Sequence, residues 1–305
     1  MTAGRWIGWT LCLFALGCAL VVSSSVAFDI FGVFRSPIGR TLTVHHNERT
    51  AKLMLNERYV PTDFDALLIG GSSTSNWPMS ALDFAHFYNE SLYGSNAVEE
   101  ARLVHEAMRT GHFRYAICVV TPYMFESHIL NEDGGVSPRR EALGSVNLLR
   151  EEFYAADRSL RHVPSPFFPD GGQAMPPTKN EADPFLTYTF GYDPIALESY
   201  RQLLDDLRRS GTKLIFLETP IYEPLYQKHL AQFTRFYADF PLRHPDEPLI
   251  DFDLPQYAAF RAQRDRWVDP PHLNDASGKE IAAELNRAIH RALPGLPTNA
   301  ISPAK

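Results

Sequence analysis

The sequence lacks the features of several common functional classes. Its 305 residues carry 36 acidic and 29 basic side chains, for a net charge of -7. Such a chain has no basic excess with which to neutralise nucleic-acid phosphates, so we expect no nucleic-acid partner. Three cysteines are too few for a disulfide framework. The 11 histidines show no spacing that pairs them with cysteine or carboxylate ligands. We therefore expect no metal site and no cofactor.

A long uncharged segment is present instead at the N-terminus, from Trp6 to Phe28. About 20 apolar residues span a bilayer. We interpret residues 1–28 as a membrane anchor with a cytoplasmic N-terminus, because Arg5 precedes the apolar run. The rest of the chain would then lie outside the cytoplasm, in the periplasm or on the outer face. A cleavable signal peptide is the alternative, because Ser25-Val26-Ala27 offers a small-residue cleavage site, and the chain would then be secreted.

Strands and helices alternate through most of the remaining chain. Four short apolar runs predict buried strands, at residues 64–69, 115–120, 213–217 and 249–252. Between and after them, periodic apolar residues predict helices at residues 96–110, 193–210, 223–237 and 277–293. Strands that alternate with helices predict a parallel sheet covered on both faces. We therefore predict a three-layer α/β/α domain with a mostly parallel sheet over residues 64–295.

Three further segments complete the predicted organisation. Residues 29–63 are polar and are predicted to connect the anchor to the domain. Residues 123–192 are rich in proline and glycine and break the alternation, so we predict a long insertion with one helix near Arg140 to Arg158. This insertion could cover a site at the sheet edge. Residues 296–305 are predicted to form a flexible tail.

A cluster of hydroxyl side chains follows the first predicted strand, which ends in Gly70-Gly71. Glycines allow a sharp turn at the carboxyl end of a strand, where open α/β sheets bind ligands. The residue after such a turn begins the next helix, where backbone N–H groups are unpaired. Ser72 is therefore our candidate nucleophile, with Ser73 as the alternative because a Gly-x-Ser pattern fits both. A phosphate-binding loop is disfavoured because no lysine follows.

A second polar segment, Asp269-Pro270-Pro271-His272, lies just before the last predicted helix. A serine nucleophile needs a base, and the base needs an acceptor that orients it. A histidine and an aspartate on a loop stiffened by two prolines can supply both. The alternative interpretation is an ordinary turn before a helix. The first interpretation predicts a triad of Ser72, His272 and Asp269.

The two segments together resemble the SGNH (GDSL-type) hydrolase superfamily. In that family Gly-Asp-Ser follows the first strand and Asp-x-x-His precedes the last helix. Gly71 replaces the family's usual aspartate. The form Asp269-x-x-His272-Leu273-Asn274 is similar to that of relatives of alginate acetylation proteins and of the teichoic-acid D-alanylation protein.

The resemblance implies a flavodoxin-like domain in which the N–H groups of Ser72 and Gly94 donate to an oxyanion. The family's third block, Gly-x-Asn-Asp, has no counterpart, because the third strand is followed by Val120-Thr121-Pro122-Tyr123.

The implied function is that of a serine-dependent acyl-ester enzyme, an esterase or O-acyltransferase that acts on cell-envelope or exopolysaccharide glycans. The anchored relatives favour transfer, beside a membrane-bound O-acyltransferase that supplies acyl groups. The alternative is a non-catalytic binding or assembly protein with this fold, in a polysaccharide modification or export system. The missing third block and the long insertion favour that alternative.

Overall fold

The computed structural model describes residues 3–35, 48–130, 138–163, 166–175 and 190–297. Within these residues the helices are α1 (Ala3–Phe28), α2 (Glu48–Asn56), α3 (Val60–Asp63), α4 (Ala97–Met108), α5 (Pro138–Gly144), α6 (Val146–Leu160), α7 (Pro194–Arg209), α8 (Glu223–Lys228), α9 (Leu230–Ala238), α10 (Ala258–Arg261) and α11 (Asp275–Ala292). The strands are β1 (Ala66–Ile69), β2 (Phe87–Asn89), β3 (Tyr115–Val119), β4 (Lys213–Glu218), β5 (Leu249–Asp251), β6 (Trp267–Asp269) and β7 (His272–Leu273).

The first five strands form one sheet in the order β2-β1-β3-β4-β5, and every neighbouring pair is parallel. This strand order is that of flavodoxin-like folds, which bind ligands where the order reverses, beside β1 and β3. Strands β6 and β7 form a separate antiparallel hairpin. The predicted parallel α/β sheet is confirmed.

Apolar side chains cover the sheet on both faces. On one face the alternate strand residues Leu67, Ile69 and Cys118 pack against α2, α4 and α7. On the other face Leu68 and Ile117 pack against α11. Parallel strands buried on both sides need nearly continuous apolar sequences, which is why these runs could be predicted as strands. The domain therefore has three layers.

Several helix starts lie where the capping residues predicted them. The Asn96 side chain accepts hydrogen bonds from the N–H groups of Val98 and Glu99, both at 3.1 Å, and begins α4. Asp193 caps α7 in the same way, with Pro194 at the first helical position. Because these signals are local, sequence alone was enough to locate them.

Other predicted elements differ from the structure. The single helix expected near Arg140 to Arg158 is two helices, α5 and α6, because Ser145 leaves the helical conformation and its Oγ caps α6 at Leu148 N, 3.0 Å away. The helix expected at 223–237 is also divided, into α8 and α9. Strand β2 was not predicted, because its two apolar residues are followed by the polar Asn89 and form no apolar run.

The polar connector expected at residues 29–63 requires a correction for the part that the structure describes. Ile30 and Phe31 are only 1% exposed and belong to the core. Helix α2 packs against α4 and α5, with seven of its nine residues buried. Its charged residues Glu48 and Lys52 are buried with partners, so a polar composition did not indicate exposure here. The predicted tail lies outside the described residues from position 298 onward.

Helix α1 contacts α6 through its last turns. It is 26 residues long and contains an 18-residue window with a mean hydropathy of 2.3, so it is long and apolar enough to cross a membrane. None of its residues is buried.

Candidate active site

The candidate nucleophile lies directly after β1, at the carboxyl edge of the sheet. Gly70 makes the sharp turn possible, because a Cβ there would lie 2.6 Å from Val119 Cγ2 and 2.9 Å from Thr74 Oγ1. Residues Ser72–Thr74 then form one 3₁₀ turn, shorter than the helix we expected to begin at Ser72. The turn leaves the Ser72 side chain only partly buried.

The structure brings together the three side chains predicted to form a triad. His272 Nε2 lies 2.8 Å from Ser72 Oγ, although 200 residues separate them in the chain. His272 Nδ1 lies 2.5 Å from Asp269 Oδ1. An ionised carboxylate can only accept, so Nδ1 carries the proton and Nε2 is free to accept one from Ser72. The runner-up Ser73 lies next to Ser72 on the same turn, and the hydroxyl that meets His272 is that of Ser72.

The β6–β7 hairpin sets the geometry of this histidine and aspartate. Asp269 and His272 are paired residues across the hairpin, on either side of the two prolines. The Pro270 carbonyl accepts a hydrogen bond from Tyr222 N at 3.2 Å, which ties the turn to the loop after β4. The hairpin is therefore held from outside as well as by its own prolines. The His272 side chain is 20% exposed and the Asp269 side chain 36%, so the pair is reachable from solvent.

Asn76 joins the two halves of the site. Its Nδ2 donates to the Leu273 carbonyl at 2.9 Å and to Asp275 Oδ1 at 3.1 Å. Gly278 allows α11 to approach, because a Cβ there would lie 3.1 Å from Asn76 Oδ1. The residue after the hydroxyl cluster thus positions the histidine loop against the serine turn. We did not identify Asn76 from the sequence, since an asparagine after a run of serines indicates only a turn.

The segment after β2, residues 89–95, lies against the nucleophile turn. Leu92 N donates to the Gly70 carbonyl at 3.2 Å, and Leu92 pairs with Gly71 in an isolated parallel bridge. Thr74 Oγ1 and Ser91 Oγ are 2.7 Å apart. Gly94, three residues after Ser91, has a φ of +62°, a conformation that favours glycine. The structure thus places the predicted oxyanion donor Gly94 in the segment that borders Ser72.

Asn89 anchors this segment and was also missed. Its Nδ2 donates to the carbonyls of Thr74 at 2.9 Å and Trp77 at 3.2 Å, and its Oδ1 accepts from Ser91 N at 3.0 Å. The side chain is fully buried. One amide therefore fixes the turn that carries Ser72 and the segment that carries Gly94. The only sequence signal was its position at the end of a strand too short to predict.

Residues 166–175 of the insertion contact segments that adjoin the site. Gln173 N donates to the Ser75 carbonyl at 2.7 Å, and Met175 N donates to Asp275 Oδ1 at 2.9 Å. The Tyr93 hydroxyl lies 3.0 Å from Met175 Sδ. Burial raises the pKa of Tyr93 to about 12, and the charges of nearby carboxylates, Asp269 among them, add to the effect. The Tyr93 hydroxyl is therefore a neutral donor at the rim of the site.

Buried charges lie behind the segment 89–95. Lys52 Nζ on α2 donates to the carbonyls of Asn89 at 2.6 Å and Ser91 at 2.7 Å. Burial lowers the pKa of Lys52, while the carboxylates of Glu90 and Glu48 act in the opposite direction. Burial also raises the pKa of Glu90 to about 7, against the positive charge of Lys52. These groups hold the segment without facing the candidate nucleophile.

The third family block remains without a counterpart at the corresponding position. Thr121 precedes a 3₁₀ turn at Pro122–Phe125, and Tyr123 on that turn is 48% exposed. Among the residues that the structure describes, no group of three His, Cys, Asp or Glu side chains is arranged to hold a metal ion. The chemistry available at this edge of the sheet is that of the serine, the histidine and the aspartate.

Comparison with known proteins adds little to this geometry. No protein-family model matches the sequence, and no curated protein matches it significantly. Among solved structures, one described provisionally as a platelet activating factor from Streptococcus pneumonia is similar over 83% of this chain and 92% of its own, with 12% identity and a TM-score of 0.43. A TM-score this low does not identify a shared fold. The fold therefore rests on the sheet order, and the candidate site rests on its own contacts.

Proposed function

We propose that this protein is a membrane-anchored serine acyl-ester enzyme of the SGNH type, with Ser72 as nucleophile. The observation that supports this is the continuous hydrogen-bonded chain from Ser72 Oγ through His272 to Asp269, with 2.8 and 2.5 Å between the atoms. Reacting groups within such reach meet the geometric requirement for nucleophile and general base.

The first half of the reaction would form an acyl-enzyme. Ser72 Oγ attacks the acyl carbonyl carbon while His272 Nε2 takes the hydroxyl proton. Asp269 accepts from Nδ1–H, keeps the imidazole in the required tautomer and stabilises its charged form. When the tetrahedral intermediate collapses, the leaving alkoxide takes the proton from Nε2, and the acyl group stays on Ser72.

The intermediate's oxygen needs hydrogen-bond donors. The N–H of Ser72, at the start of the 3₁₀ turn, and the N–H of Gly94, in the adjacent segment, are our candidates. A single such donor contributes about 10²- to 10³-fold in rate in well-studied enzymes. The bonds of Asn89 to both segments support this assignment, because they fix one segment relative to the other.

The second half of the reaction releases the acyl group. His272 Nε2 takes a proton from an acceptor hydroxyl, which attacks the acyl-enzyme and restores Ser72. Water as acceptor makes the protein an esterase, and a sugar hydroxyl makes it an O-acyltransferase. The resemblance to polysaccharide-modifying relatives supports transfer to a cell-envelope or secreted glycan, with acyl groups supplied by a membrane-bound O-acyltransferase.

A retained anchor fits the contacts at the end of α1 better than a cleaved signal. The hydroxyls of Ser24 and Ser25 donate to Glu152 on α6 at 2.7 and 2.8 Å. The Arg35 guanidinium donates to the carbonyls of Val26 and Ala27, at 2.9 and 2.6 Å, which satisfies the end of the helix. Cleavage at Ala27 would remove all these contacts. With Arg5 before the apolar run, a retained anchor supports a domain outside the cytoplasm, beside the membrane.

A fluorophosphonate probe on the full-length protein in detergent tests the proposal. We expect labelling of the wild type and of Ser73→Ala, and none of Ser72→Ala. Cleavage of p-nitrophenyl acetate should follow the same pattern and fall in His272→Ala. Mass spectrometry of short oligosaccharides incubated with the donor ester then separates transfer from hydrolysis.

Two results would overturn the proposal. Labelling retained in Ser72→Ala and lost in Ser73→Ala would move the nucleophile by one residue. No labelling of folded wild type, together with ester cleavage unaffected by Ser72→Ala, would favour the non-catalytic binding or assembly protein, to which the missing third block points.

A further inference from the structure

Helix α6 carries an apolar stripe that faces away from the domain. Its members share large exposed fractions: Val146 is 82% exposed, Leu149 45%, Phe153 71% and Leu160 83%. Their spacings of three, four and seven residues place them on one side of a helix. Exposed apolar patches on a protein surface mark sites of interaction with proteins or membranes.

The opposite side of α6 faces the protein. Leu148 and Ala155 belong to the domain core. Between these two sides, Glu152 accepts the hydrogen bonds from Ser24 and Ser25 in the last turns of α1. The stripe is therefore fixed next to the end of the membrane-spanning helix and cannot lie far from the bilayer if α1 crosses it.

The length of α1 gives the depth of this contact. Its 26 residues extend about 39 Å, whereas the hydrocarbon core of a bilayer is about 30 Å thick. Ser24 and Ser25 lie within about 6 Å of the end of α1, at the level of the boundary between hydrocarbon and headgroups. A polar contact between two serines and a carboxylate is suited to that boundary and would be costly in the hydrocarbon.

The charged groups that border the stripe fit the same environment. Arg150 and Arg161 are exposed on one flank, and Asp157 lies between them with its carboxylate 2.8 Å from Arg161. A helix with an apolar side bordered by arginines binds at membrane surfaces, and the arginines favour anionic headgroups.

We propose that α6 lies in the lipid–water interface and inserts Val146, Leu149, Phe153 and Leu160 into the bilayer beside α1. The inference rests on the retained anchor proposed above. It adds a second membrane contact, which fixes how the whole domain is oriented on the membrane. The ligand of this surface is a phospholipid bilayer, with a preference for anionic lipids.

Depth-dependent fluorescence quenching tests this in full-length protein reconstituted into phosphatidylcholine–phosphatidylglycerol vesicles. Cys12 and Cys18 are replaced by alanine, and Cys118 is left in place because it is fully buried and burial raises its thiol pKa to about 12. The variants Phe153→Cys and Leu160→Cys then carry an NBD label. Lys279→Cys is the matched control, exposed on α11 across the sheet from the layer that α6 joins.

We expect doxyl-labelled lipids to reduce emission from the two α6 labels about twofold and to leave the Lys279→Cys label unchanged. Aqueous iodide should quench the Lys279→Cys label more strongly than the two α6 labels. Quenching by iodide without quenching by doxyl lipids would overturn the inference. Protection from both quenchers would also overturn it, because a second copy of the chain would then cover the stripe.

A label at Cys12 in the Cys18→Ala variant, in which the remaining Cys118 is buried, separates this inference from the anchor. Quenching of Cys12 by doxyl lipids without quenching on α6 leaves the anchor standing and refutes the interfacial helix. A Cys12 label that doxyl lipids do not quench refutes both.

Discussion

Replacing Asp269 by asparagine tests how the imidazole of His272 is controlled. Asparagine keeps the shape of the side chain but can donate from its amide nitrogen to Nδ1, which would place the proton on Nε2 and remove the base facing Ser72. It also removes the negative charge 2.5 Å from Nδ1. The variant should therefore fold normally and acylate slowly.

The size of the effect follows from the exposure of the pair. Two charges about 4 Å apart interact by about 4 kcal/mol at the effective dielectric constant near a protein surface. The Asp269 side chain is 36% exposed, so solvent screens part of this. We expect Asp269→Asn to lose about 10²- to 10³-fold in acylation rate, less than the roughly 10⁴-fold of a fully buried triad.

The assay is the rate of fluorophosphonate labelling, followed in parallel with p-nitrophenyl acetate cleavage. Asp265→Asn is the matched control, because Asp265 is exposed four residues earlier and contributes its backbone carbonyl to Asn274. The control should retain the wild-type rate. If Asp269→Asn labels as fast as the control while Ser72→Ala is inactive, Asp269 does not orient the base, and this reasoning is refuted.

Three further substitutions test the support of the site. Gly70→Ala should destabilise by about 1–3 kcal/mol in urea unfolding because its Cβ would overlap Val119, whereas Gly71→Ala, with its nearest neighbour at 3.9 Å, should be close to neutral. Asn89→Ala should cost about 2–3 kcal/mol and slow fluorophosphonate labelling, since buried partners lose their bonds; unchanged labelling would show that this amide does not position the turn. Burial and two neighbouring carboxylates raise the pKa of Glu218 to about 9, so its contribution to stability is present below its usual pKa and lost as pH rises toward 9. Glu218→Gln should therefore gain unfolding free energy over wild type at pH 9 and not at pH 4, and equal gains at both would contradict the assignment.

The parts of the fold that sequence could predict are those with local causes. Strands β1, β3 and most of β4 are continuous apolar runs because the sheet is buried on both faces. The start of α4 was visible because its cap, Asn96, acts within three residues. Strand β2 has three residues and ends in polar Asn89, so it lacks the apolar run by which the other strands were predicted.

The residues of the candidate site also divide into those that a local motif identifies and those that only the folded chain brings together. Ser72 and the Asp269–His272 pair were identifiable because each lies in a short motif whose chemistry is local. Their approach across 200 residues was not deducible from spacing and followed from a family resemblance. Asn76 and Asn89 could not be identified, because their partners are backbone carbonyls that only the folded chain brings within reach.

The buried charges on α2 show why composition misled us about residues 29–63. Burying an ammonium group costs several kcal/mol unless hydrogen bonds and opposite charges compensate. Lys52 is 1% exposed and meets that condition, because the carbonyls of Asn89 and Ser91 accept hydrogen bonds from its Nζ and Glu90 supplies negative charge. From its place on α2, the Lys52 side chain reaches both carbonyls. The segment that carries Gly94 is therefore held by a helix that we had interpreted as part of a polar connector. Lys52 lies 20 positions before the proposed nucleophile Ser72 and supports the segment that carries a proposed oxyanion donor.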